Sequence, residues 1–307
     1  MPMNKTLAAV ALATSLAVMA GAAQAECMSY AQVEALVQSI AQRKPAPNPS
    51  GLSEADAACT RAKLDLQLEK RFGAMVGFKA GLTNAAVQQR FNYDKPVWGM
   101  LFKDMLLPNG ATVDPAFGAR PLYEADMLVR VKSGAINIAR TPEEVLQFVD
   151  WIIPFVELPD LLVQAPAKLT GPDVSAINVG ARLGVMGTPI AVPDGAAERA
   201  NMLTALRDMT VRINDASQGG NNAELARGKG SDVLGHPLNA VVWLAQALGK
   251  EGLSMKPGDL ISLGSFSPLK PPVAGQSISV SYDGLPGAQP VLVNFRPATP
   301  AAAARSQ

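Results

Sequence analysis

Histidine is nearly missing from this chain. His236 is the only one in 307 residues, and cysteine occurs just twice, at Cys27 and Cys59. So few nitrogen and sulfur ligands argue against a zinc site built from His and Cys. With no histidine before His236, neither cysteine has a partner placed to make it a nucleophile. Runs of lysine or arginine are also missing, and the net charge is only +1, so the chain carries no electrostatic footprint for nucleic acid. There is no internal repeat, no long biased tract in the middle, and no strand–helix alternation long enough for a doubly wound sheet. What remains is a chain 48% hydrophobic and 17% charged, enough for one large domain or a domain with a helical appendage.

The first 25 residues have the pattern of a targeting segment. Lys5 supplies a charged start, Leu7 to Ala20 is an apolar run, and Ala23-Gln24-Ala25 is a small-x-small cleavage site. The apolar run is short for a membrane span, so a retained anchor is the lesser alternative. Glu26 directly before Cys27 does not suit a lipoprotein site. The expectation is a soluble protein exported to the periplasm, with no membrane association once the segment is removed. In an oxidising compartment the two cysteines read as a disulfide stapling the N-terminal helical region, worth about 3–4 kcal/mol by chain entropy. Two unrelated buried thiols are the other possibility.

Three carboxylates stand out. Glu124 and Asp126 are two apart in Leu122-Tyr123-Glu124-Ala125-Asp126-Met127-Leu128, a segment that alternates like a strand and so places both acids on one face. Leu122 and Leu128 bracket them on that face. Glu157 lies in the apolar stretch from Trp151 to Leu162, where a lone carboxylate is out of place. Burying like charges is costly unless a cation lies between them. Three hard oxygen donors suit Mg²⁺ or Mn²⁺. From spacing alone, a strand with a solvated polar edge remains open.

The rest of the chain reads as helices followed by mixed strands. Residues 28–42 repeat apolar positions at helical spacing, a Pro-rich loop follows, and Ser53 with Asp56 opens a second helix that Gly73 ends. A strand over 74–79 leads to a short helix over 85–91. Thr141-Pro142-Glu143-Glu144 starts a helix expected to run to about Val149, and another helix is expected over 194–209. His236-Pro237-Leu238-Asn239 opens a last helix through Leu248. Strands are expected over 123–131, 210–214, 260–263, 277–282 and 290–295, with Asp283-Gly284 as a turn and a disordered tail from Ala298. This order of elements is α+β.

Four motifs then occur in sequence: Gly77-Phe78-Lys79-Ala80-Gly81-Leu82-Thr83, Glu124-Ala125-Asp126, Phe155-Val156-Glu157-Leu158, and Leu234-Gly235-His236-Pro237-Leu238-Asn239-Ala240-Val241. Together they resemble the 2-oxopent-4-enoate hydratase and 4-oxalocrotonate decarboxylase group of the fumarylacetoacetate hydrolase superfamily, over about Leu52 to Phe295. The resemblance implies an α+β fold with a mixed β-roll, an N-terminal helical or lid region over 26–107 and a metal-binding β-roll over 108–297. It implies a Mg²⁺- or Mn²⁺-dependent lyase acting on a short 2-oxo or 2-hydroxydienoate acid, working as a homo-oligomer. The family's metal-binding carboxylates correspond to Glu124, Asp126 and Glu157, the second being Asp where the group usually has Glu. The family lysine corresponds to Lys79, which on its own reads as a surface lysine at a strand end.

One position departs from the group. Val97 stands where hydratases carry an Asp that helps handle water, and neither Asp94 nor Asp104 fills that place. Hydratase activity is therefore less firmly implied than metal and 2-oxo-acid binding, and an exported protein that binds a 2-oxo acid with its metal but does not turn it over is the alternative. The C–C hydrolase branch uses a His–Glu pair, and no histidine lies in the N-terminal half. Ser265 and Ser267 are candidate substrate contacts or a plain strand-end turn. Arg120 is a candidate partner for a distal carboxylate or a surface arginine. His236 reads as structural, and Trp98, Trp151 and Trp243 as core or lid aromatics.

Overall fold

Two serines start the first two helices. In α1 (Tyr30–Gln42) Ser29 and Gln32 form a capping box, and in α2 (Glu54–Phe72) Ser53 and Asp56 do the same. The shorter Asp56 serves because one oxygen accepts from both the Ser53 amide (3.1 Å) and the Ser53 hydroxyl (2.6 Å). The computed structural model describes residues 26–298. The targeting segment expected over 1–25, and the tail beyond Ala298, lie outside the described residues. Cys27 and Cys59 are bonded, with a sequence separation of 32, and the Met28 amide donates to Thr60 Oγ1 at 3.0 Å. The start of the described chain is thereby fastened to α2.

After α2 come β1 (Met75–Gly81), α3 (Ala85–Arg90), β2 (Val97–Phe102), β3 (Leu106–Pro108) and β4 (Thr112–Val113). The middle of the chain gives β5 (Glu124–Val131), α4 (Pro142–Gln147), β6 (Val149–Leu158), α5 (Gly171–Ala176), β7 (Leu183–Met186) and β8 (Ile190–Ala191). The last part gives α6 (Ala196–Asp208), β9 (Thr210–Asp215), β10 (Glu224–Lys229), α7 (Asn239–Lys250), β11 (Leu260–Ser262), β12 (Ser277–Asp283) and β13 (Val291–Phe295). An eight-stranded sheet runs β2-β1-β11-β5-β6-β7-β3 with β8 added on β6, and a five-stranded sheet runs β10-β9-β12-β13-β4. Both are mixed: β1 with β11, β3 with β7 and β13 with β4 are parallel, and the other pairs are antiparallel. The α+β expectation is met.

The larger sheet is buried on both faces, and strand alternation sorts its residues between two cores. Phe78 and Ala80 of β1, Ala125, Met127 and Val129 of β5, and Val156 of β6 join Val211, Ile213, Ile278 and Val293 of the smaller sheet. Leu128 of β5 and Ile153 and Phe155 of β6 face the other way, toward α1, α2 and α5. Lys79, Glu124, Asp126 and Glu157 lie on that second side.

Two expectations need correction. The helix after Thr141 stops at Gln147, because Val149 opens the ten-residue β6, whose burial pattern requires extended backbone. The division between residues 107 and 108 does not separate two bodies: β1 and β2 pair with β11, which pairs with β5, and β3 pairs with β7. Several strands had no local signal strong enough to read, among them β2, β7 and β10.

Tyr282 of β12 ties the two sheets together. Its buried hydroxyl accepts from the Phe155 amide at 3.0 Å and lies against the carbonyls of Asp126 and Phe155. Tyr282→Phe removes the hydroxyl that those buried groups of β5 and β6 share, and is expected to cost about 1–3 kcal/mol in chemical denaturation without changing the fold.

Candidate active site

Alternation and register bring the acids together. Glu124 and Asp126 share a face of β5, and Glu157 of β6 is the direct cross-strand partner of Glu124, so all three carboxylates lie on one face of the sheet. On the neighbouring strands of the same sheet, Lys79 of β1 is in register with Ser262 of β11. All four charged side chains are buried: Lys79 and Glu157 are 3% exposed, Glu124 7% and Asp126 0%. The solvated strand edge left open by spacing alone is thus ruled out.

Lys79 Nζ donates to Glu157 Oε1, and to the Val179 carbonyl at 3.1 Å. Val179 has φ +53°, a left-handed conformation that a β-branched residue rarely takes. The turn that holds it is anchored by Asn178, whose side chain accepts from the Met100 amide (2.6 Å) and donates to the Met100 carbonyl (3.0 Å). Asp126 is held differently. Its oxygens accept from the Ser262 hydroxyl, the Gly264 amide (2.9 Å) and the Met127 amide (2.6 Å). Gly264 sits at φ +100°, and any side chain there would strike the Thr83 hydroxyl.

The electrostatics are unbalanced. Burial, then the charge of Glu157, push the Glu124 carboxyl well above its usual range, against the opposing pull of Lys79. The same two causes raise Asp126 to about 7, although Ser262 and the Met127 amide oppose them. Three carboxylates face one ammonium, and Glu157 Oε2 is buried without a hydrogen-bond partner. This charge deficit and the all-oxygen donor set fit a divalent cation. The acids are not drawn into a finished cage: among the described residues, no group of three or more His, Cys, Asp or Glu is already arranged to hold a metal. Glu124 and Glu157 line a cavity of about 50 Å³ together with Lys79, while Asp126 lies behind them among its own donors.

The other candidates separate. Ser265 lines the cavity, its hydroxyl donating to the Ser267 carbonyl. Ser267 does not line it; its hydroxyl accepts from the Ala125 amide at 3.0 Å and so pins the start of β5. Arg120 is a correction: its exposed guanidinium donates to the carbonyls of Val163 (3.3 Å) and Gln164 (3.2 Å), away from the cavity. His236 is structural, with Nδ1 accepting from the Leu238 amide and Nε2 at 3.1 Å from the Leu203 carbonyl. Val97 pairs with Gly81 and is not a cavity residue, and Asp94 and Asp104 are exposed elsewhere. Thr83, quoted in a motif but given no role by sequence reasoning, does line the cavity, and its buried hydroxyl has no partner.

A buried carboxylate–lysine cluster on a sheet face, opening on a small cavity, defines a site for a small ligand rather than a macromolecular surface. Residues 70–291 match the family model described as Fumarylacetoacetate (FAA) hydrolase C-terminal, and the chain belongs to that family. It is 30% identical to 2-hydroxyhexa-2,4-dienoate hydratase of Comamonas testosteroni, over 69% of this chain and 75% of the relative. It is 28% identical to 2-keto-4-pentenoate hydratase 1 of Dechloromonas aromatica (strain RCB), over 69% of this chain and 75% of that one. The solved structure of 4-oxalocrotonate decarboxylase from Pseudomonas putida G7, complexed with magnesium and adipate, matches with a TM-score of 0.75 at 24% identity, covering 88% of this chain and 100% of that one. It shares the fold. At the level of the family the chain is an enzyme related to lyases, with a divalent-metal site among its structural neighbours.

A pH test follows from the raised carboxyls. Asp126 sits near 7 in the folded protein against an ordinary 3.8, so its protonated form favours folding. That contribution is full below about pH 4 and disappears as pH rises through about 7. Metal-free protein is expected to lose stability across that window in urea titrations, and saturating Mg²⁺, which prefers ionised carboxylates, to flatten the slope. A stability that rises over pH 4–7 without metal contradicts this electrostatic picture.

Proposed function

We propose that the mature protein is a divalent-metal-dependent lyase, a hydratase or decarboxylase, acting on a short 2-oxo or 2-hydroxydienoate acid. The observation that carries this reading is the meeting of Lys79, Glu124 and Glu157 in one buried cavity, with Asp126 behind. The names of the relatives, two hydratases and a decarboxylase, support the reaction class, and the magnesium in one neighbour's structure supports the metal.

Glu124 and Glu157, with Asp126, are the residues that would hold Mg²⁺ or Mn²⁺. The bound ion supplies Lewis acidity toward the 2-oxo oxygen of the substrate. Lys79, free to exchange its contact with Glu157 for one with substrate, takes the proton at C3, next to the oxo carbon, in its neutral amine form and returns it as the ammonium. The strained Val179 carbonyl keeps Lys79 Nζ aimed into the cavity. Burial keeps water from the reacting carbon and strengthens each charge interaction. No acid beyond the metal-binding set lines the cavity among the described residues, so water handling is the weak step and enolisation the strong one.

Metal-dependent exchange of the C3 protons of pyruvate with deuterium, followed by NMR, tests this. Lys79→Met is expected to slow it by about 10²–10⁴-fold. Absence of exchange with any divalent metal favours a protein that binds a 2-oxo acid without turning it over.

The same proposal places the protein in the periplasm, as a homo-oligomer. The targeting pattern of residues 1–25 and the Cys27–Cys59 bond next to the expected cleavage point support export. Material recovered from periplasm should begin at Glu26 and show no free thiol by mass spectrometry. An intact Met1 end argues against cleavage, and two free thiols against an oxidising destination.

A further inference from the structure

The cavity has a polar floor and an apolar cover. The floor is the sheet face with Lys79, Glu124 and Glu157, joined by the hydroxyls of Ser265 and Thr83. Thr83 Oγ1 belongs to the floor because it lies against Gly264, whose amide holds Asp126. It is buried with no hydrogen-bond partner, a cost to the fold unless a ligand or water meets it. The rest of the lining is apolar and forms the cover: Leu82, next to Thr83 in the chain, with Val87, Phe91, Leu161, Val174 and Leu269. No cation lies on it. Lys79 is the only basic residue among those lining the cavity, and it is engaged on the floor by Glu157 and the Val179 carbonyl. Arg120, the sequence candidate for a distal carboxylate, is bound outside to the carbonyls of residues 163 and 164.

Resting on the reading that this cavity takes a 2-oxo acid, we infer that the acid ends in an uncharged, apolar chain, packed under Leu82, Phe91, Leu161, Val174 and Leu269, and that the Thr83 hydroxyl donates a hydrogen bond to its oxygenated head. A second carboxylate on the chain would be buried against leucine, valine and phenylalanine with no counter-charge, and nothing on the cover would stabilise it. The cover therefore selects against dicarboxylates by exclusion, as a hydrophobic specificity wall does. Thr83 and the cover residues are specificity determinants, distinct from the acids and lysine that do the chemistry.

The test compares two acids with the same 2-oxo head and chain length, 2-oxopentanoate and 2-oxoglutarate, which differ at the far end by a methyl against a carboxylate. Calorimetric titration of the Mn²⁺-loaded mature protein should show 2-oxopentanoate binding roughly 100-fold or more tightly than 2-oxoglutarate. Leu269 is only partly buried, so Leu269→Lys can place an ammonium on the cover, and it should narrow or reverse that preference. Thr83→Val should weaken 2-oxopentanoate about tenfold while leaving thermal stability equal or higher, because it removes an unpartnered buried hydroxyl. Equal or tighter binding of 2-oxoglutarate to wild type overturns the inference and leaves the 2-oxo-acid reading standing. If neither acid binds with Mn²⁺ present, that reading fails and the inference falls with it. Unchanged affinity in Thr83→Val removes Thr83 from the head contact.

Discussion

Three carboxylates buried against a single ammonium form the interaction on which the rest of this structure depends. Like charges on adjacent strands, out of water, oppose folding, and Lys79 offsets only part of that opposition. The raised carboxyls of Glu124 and Asp126 are the chemical expression of the same imbalance. A site that stores unfavourable charge in this way is prepared for a cation, and it resists collapse into a purely apolar core.

Much of the surrounding architecture serves to hold that arrangement. The smaller sheet reaches across through Tyr282, whose hydroxyl meets the backbone of both β5 and β6 at the level of Asp126 and Phe155. Gly264 gives an amide to Asp126 from a backbone conformation few other residues adopt. Asn178 imitates a neighbouring strand along Met100, and so fixes the strained Val179 whose carbonyl meets Lys79. Strain and special backbone are concentrated around the lysine and the acids, which is where a rigid polar site requires them. On the far side of the same cavity, ordinary aliphatic packing suffices.

How far this was legible in the sequence differs from residue to residue. The period-two pattern around Glu124 and Asp126, and an acid inside an apolar run at Glu157, are local signals, and both acids on one face followed directly from them. The helix starts at Ser29, Ser53 and Thr141 rest on local hydrogen bonds, and Thr141 was read correctly along with Ser53 because caps are short-range chemistry. The register that sets Glu124 opposite Glu157 is long-range, so it became visible only in the folded sheet. The short strands β2, β7 and β10 draw their stability from neighbours rather than from their own composition. Arg120 kept two readings open because an arginine's partners can be distant carbonyls, and Thr83 was passed over because an unpartnered hydroxyl has no signature until its surroundings are known.

The most direct test of the central claim is a calorimetric titration of metal-free protein with Mn²⁺ at neutral pH in two buffers of different ionisation enthalpy. One site per chain is expected, with protons released on binding as the raised carboxyls ionise, and with binding lost in both Glu124→Gln and Glu157→Gln. No measurable binding by wild type, or binding that survives unchanged in both variants, would contradict the account.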